Sequence, residues 1–159
     1  MKITKKWIKE WEPCEEAVEW IEKQDTRDVF KLIDKLRKSD IKEKYSWLYW
    51  AIPKLLKSKR NRIKFVKYAA ELALPKFEKK HPDHTNLRWA IQKAEDWLKY
   101  PIDEGVKVVK DTIASCADAI VRSVIWTVFW ITISPGWIIE YSGVPDKIID
   151  CGIKLLKEE

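Results

Sequence analysis

Apolar residues recur at three- and four-residue steps along most of this chain, most clearly between Phe65 and Tyr100. Phe65, Tyr68, Ala69, Leu72, Ala73 and Phe77 form one face there, and Lys67, Glu71, Lys76, Glu78 and Lys79 the other. Pro75 interrupts the pattern. Its ring carries no N–H and collides with the carbonyl of Glu71, at a cost of about 3 kcal/mol in an unbroken helix, so a kink or restart is expected near Leu74. The segment HPDHTN then reads as a turn, with Pro82 and Asp83 as its breaker and turn residues. Thr85 or Asn86 caps a second helix with Leu87, Ala90, Ile91, Ala94, Trp97 and Leu98 on its apolar side, closed by Pro101. The unit predicted is an antiparallel helical hairpin at the centre of the fold. Leu72, Phe77, Ile91, Ala94 and Trp97 are its expected buried residues.

Four helices are expected ahead of this hairpin. The first runs from about Lys5 to Trp11, capped by Thr4, with Trp7, Ile8 and Trp11 on one face and Ile3 stapled onto Ile8. Pro13 stands at the first position of the second, whose apolar side is Cys14, Ala17, Val18 and Ile21; Glu15 and Glu16 suit its N-terminus. Asp25 or Thr26 caps the third, with Val29, Phe30, Ile33 and Leu36 inward. Asp40 restarts the chain into the fourth, which carries Trp47, Leu48, Trp50, Ala51, Leu55 and Leu56 and a second proline kink at Pro53.

Beyond Pro101, Asp103 can start a long helix containing Val106, Val109, Ile113, Cys116, Ile120, Val124 and Ile125. No residue from Ser123 to Ile139 is charged, which is the minimum length for a membrane span, cut near its end by Pro135-Gly136. A helix apolar all round either spans a membrane or forms the centre of a bundle. The amphipathic helices before it need a partner for their apolar faces, so a buried central helix is expected over 113–133. Trp126, Phe129 and Trp130 should then meet the other helices, and Arg122 should reach solvent or pair with Asp118 one turn away. The segment from Pro145 to Lys157 supplies another apolar face in Ile148, Ile149, Ile153, Leu155 and Leu156.

These elements predict an all-α fold. The architecture expected is a compact bundle of stacked antiparallel helical hairpins around a central apolar helix. At 159 residues it forms one domain, with a Trp-rich N-terminal region over 1–60 and a second helical region over 61–159. With 46% hydrophobic and 35% charged residues the chain is globular, and four glycines are too few for a turn-rich all-β protein. Ten tryptophans at helical spacing read as core. Cys14, Cys116 and Cys151 show no CxxC spacing and read as reduced, mostly buried thiols of a cytoplasmic protein. The basic N-terminus runs soon into charged residues and does not read as a signal peptide.

The central hairpin also carries a resemblance. Ala70-Glu71, Leu74-Pro75-Lys76-Phe77-Glu78, Pro82-Asp83 and Arg88-Trp89-Ala90-Ile91 resemble the pattern of the immunity proteins of bacterial toxin systems, in the group similar to immunity protein five. His81 stands where that pattern has an aromatic residue, and Leu87 where a proline usually opens the second helix. The front end, ITKKWIKEWEPCEEAVEW, is similar to that of small phage and prophage proteins. The resemblance is firm over 65–98 and looser elsewhere. It implies an all-helical fold and says little about mechanism.

The net charge of +6 is unevenly spread. Glu10 to Asp28 is mostly acidic. From Lys44 to Lys67 there is no acid, and Lys54, Lys57, Lys59, Arg60, Arg62 and Lys64 crowd its second half. This segment is either a solvated loop whose cations suit a helix C-terminus or a contact surface for something acidic. The two histidines, His81 and His84, read as turn residues; a metal site would need further ligands, and no cysteine lies close in sequence. No HExxH, GxSxG, GxxxxGK[ST] or GxGxxG occurs, and no catalytic residue, metal or cofactor is expected. The expected function is a non-catalytic module that captures a protein partner stoichiometrically, as an immunity factor or a phage or prophage inhibitor would capture a toxin or host defence protein. Lys57, Lys59, Arg60, Arg62 and Lys64 are the candidate contact residues, with Asp83 and Arg88 as a second edge. The alternative is a nucleic-acid binder using the Lys54–Lys67 cations, with Trp47, Tyr49 or Trp50 for stacking. A membrane partner is disfavoured.

Overall fold

The computed structural model describes residues 1–80, 82–83, 85–100 and 144–159. The apolar helix expected over 113–133, with its Arg122–Asp118 pair, lies outside the described residues, as do His81, His84 and the side chain of Phe77. Among the described residues the fold is all-α, with seven helices and no strand. They are α1 (Lys5–Trp11), α2 (Glu15–Glu22), α3 (Val29–Lys38), α4 (Lys44–Leu55), α5 (Lys59–Lys80), α6 (Asn86–Lys99) and α7 (Val144–Lys157). The one extended pairing described is an antiparallel bridge between Lys2 and Asp28, which ties the residues before α1 to the start of α3.

The helix starts follow local hydrogen bonding. Thr4 caps α1 as expected, its hydroxyl accepting from the Trp7 N–H at 3.1 Å. Glu12 ends α1 in the left-handed region, with φ 43°, and Pro13 lies two residues ahead of Glu15, where α2 begins, rather than at its first position. The cap of α3 is Asp28, not Asp25 or Thr26. Its Oδ1 accepts from the N–H groups of Phe30 and Lys31, each at 3.1 Å, while Thr26 Oγ1 accepts from Asp28 N–H. The chain therefore turns once through Thr26 before the helix begins.

α5 runs unbroken through Pro75 for 22 residues. Pro75 and Glu71 both face solvent, so the Glu71 carbonyl that loses its helical partner is on the wet side of the helix. α5 and α6 run antiparallel: Arg88 at the start of α6 meets Glu78 near the end of α5, and Lys59 at the start of α5 meets Trp97 near the end of α6. Ile91 and Ala94 are buried between them, while Leu72 and Trp97 are only half-buried.

The main core joins α3, α4, α5 and α7 through Val29, Leu32, Ile52, Phe65, Ala70, Ile148 and Ile149. Ile52, Ile148 and Ile149 expose none of their surface. Full burial of each contributes about 1.5–3 kcal/mol. α7 comes especially close at Gly152, where a Cβ would meet Ile52 Cγ2 at 2.7 Å and Phe65 Cε2 at 2.9 Å. At the rim, Arg37 of α3 binds Asp146 and Asp150 of α7, at 3.0 and 2.7 Å. The Tyr45 hydroxyl reaches the same Asp146 carboxylate at 3.3 Å. No described helix is long and apolar enough to cross a membrane.

Candidate functional site

α4 ends at Leu55 and α5 begins at Lys59, so the chain reverses within a few residues. Lys57 lies in that reversal, exposed. Lys59, Arg60, Arg62 and Lys64 fall in the first two turns of α5; Arg60 is exposed and the other three are half-buried. The cations therefore sit at a helix N-terminus. The peptide dipoles and unpaired N–H groups there carry about half a positive charge, so further cations are repelled rather than welcomed. Among the described residues, none of the five has a carboxylate within ion-pair distance. Lys59 Nζ instead lies 5.6 Å from the centre of the Trp97 ring, and Arg62 Nε is buried without a hydrogen-bond partner among the described residues. Tyr100, just past the end of α6, is 77% exposed.

One carboxylate approaches this surface from the far end of the chain. Glu159 Oε2 accepts from the Lys57 N–H at 2.7 Å, and Oε1 accepts from the Ser58 N–H at 2.8 Å and from Asn61 Nδ2 at 3.2 Å. Asn61 is the one polar residue fully buried among the described residues. Partial burial disfavours the charged form of Glu159, but the two amide N–H groups, the Asn61 side chain and the Lys57 charge outweigh it and hold the carboxyl below the usual glutamate range. Pattern reading treats Glu158-Glu159 as a polar tail. Nothing in the sequence around it signals a contact with residues about a hundred positions away.

The second candidate edge lies elsewhere. Asp83 is exposed in the turn after α5, and Arg88 is held by Glu78, with Nε and Nη2 at 2.8 and 2.6 Å from Oε1. From Arg60 to Glu78 the helix rises about 27 Å at 1.5 Å per residue. The structure thus separates the two candidate sets to opposite ends of the α5–α6 hairpin, and Arg88 is already paired.

The aromatic residues offered for base stacking are not beside the basic turns as free platforms. Tyr49 is buried and its hydroxyl has no partner among the described residues; burial, then Tyr45 and Asp146, push the phenol pKa upward. Trp47 and Trp50, with Trp7 and Trp20, line an apolar cavity of about 300 Å³ between α1, α2, α3 and α4. Lys54 Nζ covers the Trp50 ring at 4.8 Å and the Trp11 ring at 4.4 Å. Cys14, expected on an apolar face, is exposed at the rim of that cavity, and burial raises the pKa of the half-buried Cys151 thiol. Among the described residues, no three His, Cys, Asp or Glu side chains converge as a metal site would require. Compared with protein-family models, curated proteins and solved structures, the chain matches none of them.

Proposed function

We propose that this chain is a non-catalytic binding protein that captures an acidic surface of a protein partner, stoichiometrically, through the basic first turns of α5. The observation that carries the reading is the placement of the cations. Lys59, Arg60, Arg62 and Lys64 crowd the positive end of a helix, unpaired among the described residues, where they lower the stability of the helix they belong to. A charge arrangement unfavourable for folding is accounted for by binding. Such a patch speeds the encounter with an acidic partner, and Trp97 and Tyr100 beside it offer apolar area to hold one.

The same reading places the chain with the immunity proteins that its central hairpin resembles. It would act in the cytoplasm as a phage- or prophage-encoded inhibitor or immunity factor, on a toxin or host defence protein. It also includes the bundle of stacked antiparallel hairpins around a central apolar helix. The support for these finer points is the sequence pattern.

The test is co-purification and inhibition against a pool of toxins and defence proteins, comparing wild type with the Lys59→Glu, Arg60→Glu, Arg62→Glu triple variant. Circular dichroism and urea unfolding of both proteins confirm that the variant is folded, so that loss of binding is read on a folded chain. The expected result is a one-to-one endpoint for wild type and no complex with the triple variant. Full activity of the variant overturns the assignment of the surface, and inhibition by substoichiometric protein overturns binding as the mode of action. Capture of an oligonucleotide, with affinity falling steeply as salt rises, would instead support the nucleic-acid reading.

A further inference from the structure

We propose that Glu159 holds, from within the chain, the position on the basic surface that a carboxylate of the partner takes, so that an acidic protein segment binds by displacing it. This rests on the reading of the α5 surface given above. Helix α5 is already capped without Glu159: Ser58 Oγ accepts from the Asn61 N–H at 3.3 Å, and the Ser58 carbonyl accepts the first helical bond, from Arg62 N–H at 3.0 Å. The donors that hold Glu159 are a different set. Two of them, Lys57 N–H and Ser58 N–H, lie ahead of the helix. The third, Asn61 Nδ2, belongs to a side chain more than nine-tenths buried and reaches the same carboxylate.

Burying an asparagine is costly unless its donors are met, and here the carboxylate meets one of them. Three donors thus converge on one anionic group beside Lys57, where the chain enters the turns of α5 that carry Lys59, Arg60 and Arg62; none of these four cations has an ion pair among the described residues. The group that occupies this position belongs to no helix. Glu159 is exposed and lies beyond the end of α7 at Lys157. A contact of this kind can open without disturbing the core. An aspartate or glutamate from a partner would find the same three donors and, unlike Glu159, would bring further acids to the four cations.

The experiment uses the full chain and a hexaglutamate peptide as the probe. Binding is followed by calorimetry and by the backbone amide resonances of Lys57 and Ser58. Glu159→Gln keeps the side-chain size and removes the charge. It should bind the peptide about fivefold tighter than wild type, the factor that removing a competing contact of capping strength provides. The Lys57 and Ser58 amides should shift as the peptide is added. Asn61→Ala in the Glu159→Gln background should weaken binding again; circular dichroism confirms that each variant is folded. Equal affinity for wild type and Glu159→Gln, with the two amides unmoved, overturns the inference and leaves Glu159 as a structural contact only. In that case peptide binding that is still lost in the triple charge reversal leaves the capture surface standing. No binding to either protein overturns the inference, while co-purification decides the capture reading independently. Tighter binding of an oligonucleotide than of the peptide at the same amides identifies phosphate as the ligand and overturns the carboxylate assignment.

Discussion

Replacing Gly152 with alanine should destabilise this protein, although the same change at an exposed helix position stabilises. Ala is favoured over Gly inside a helix by about 1 kcal/mol. Against that gain stands the space at α7. The new Cβ would lie 2.7 Å from Ile52 Cγ2, 2.9 Å from Phe65 Cε2 and 3.0 Å from Ile52 Cδ1. Ordinary carbon–carbon contacts are about 3.5–4.0 Å, so the shortfall at Cγ2 is about 0.8 Å. Neither neighbour can move away easily, because Ile52 is 0% and Phe65 2% exposed. Overpacking a filled core costs about 1–3 kcal/mol, which leaves a net loss of up to about 2 kcal/mol after the helix gain. Urea unfolding followed by tryptophan fluorescence reads this directly. With a slope of about 2 kcal/mol per molar urea, the midpoint should fall by up to about 1 M with the slope unchanged. The companion variant is Ile52→Ala, which removes both crowded Ile52 atoms and itself costs about 2–5 kcal/mol. In that background Gly152→Ala should become neutral or stabilising, a coupling of at least about 1 kcal/mol between the two sites. A midpoint that rises in the wild-type background, or additive effects in the double variant, would refute the close approach of α7 to α4.

Other expectations are simpler to state. Asp28→Ala removes the acceptor of two N–H groups at the start of α3 and should cost about 1 kcal/mol in urea unfolding, with Asp28→Asn close to wild type. Arg37→Gln breaks the bridge to Asp146 and Asp150 and should cost about 1 kcal/mol at low salt, less as salt screens the pairs; a salt-independent loss would mean that packing of the arginine stem dominates. Glu159 titrates below the unfolded-state value of 4.5, so its contribution to stability is in place above that value and is lost as pH falls through the folded pKa; the midpoints of wild type and Glu159→Gln should differ at neutral pH and converge in acid.

Much of the local structure was legible in the chain. The three- and four-residue spacing of apolar positions placed the α5–α6 hairpin, and Thr4 marked the start of α1 correctly. These signals are carried by neighbouring residues, so sequence alone can hold them. The boundaries that shifted did so where several capping residues compete within a few positions. Asp25, Thr26 and Asp28 can all accept from backbone N–H groups, and the bridge to Lys2 selects Asp28. The pattern allows a kink or a restart at Pro75; the helix does not restart, because a proline on the wet face of a long helix deprives only a carbonyl that water reaches.

The site divides in the same way. The sequence showed an acid-free basic run, which is a property of composition. Whether those cations flank the negative or the positive end of a helix depended on where α5 begins, and that sets the sign of their interaction with its dipole. The contacts of Glu159 with Lys57, Ser58 and Asn61 and the lack of space at Gly152 join residues about a hundred positions apart. Periodicity records which face of a helix is apolar, not which helix it meets or how closely. Those choices are made when the faces pack together, because filling the core without voids or overlap depends on every helix at once.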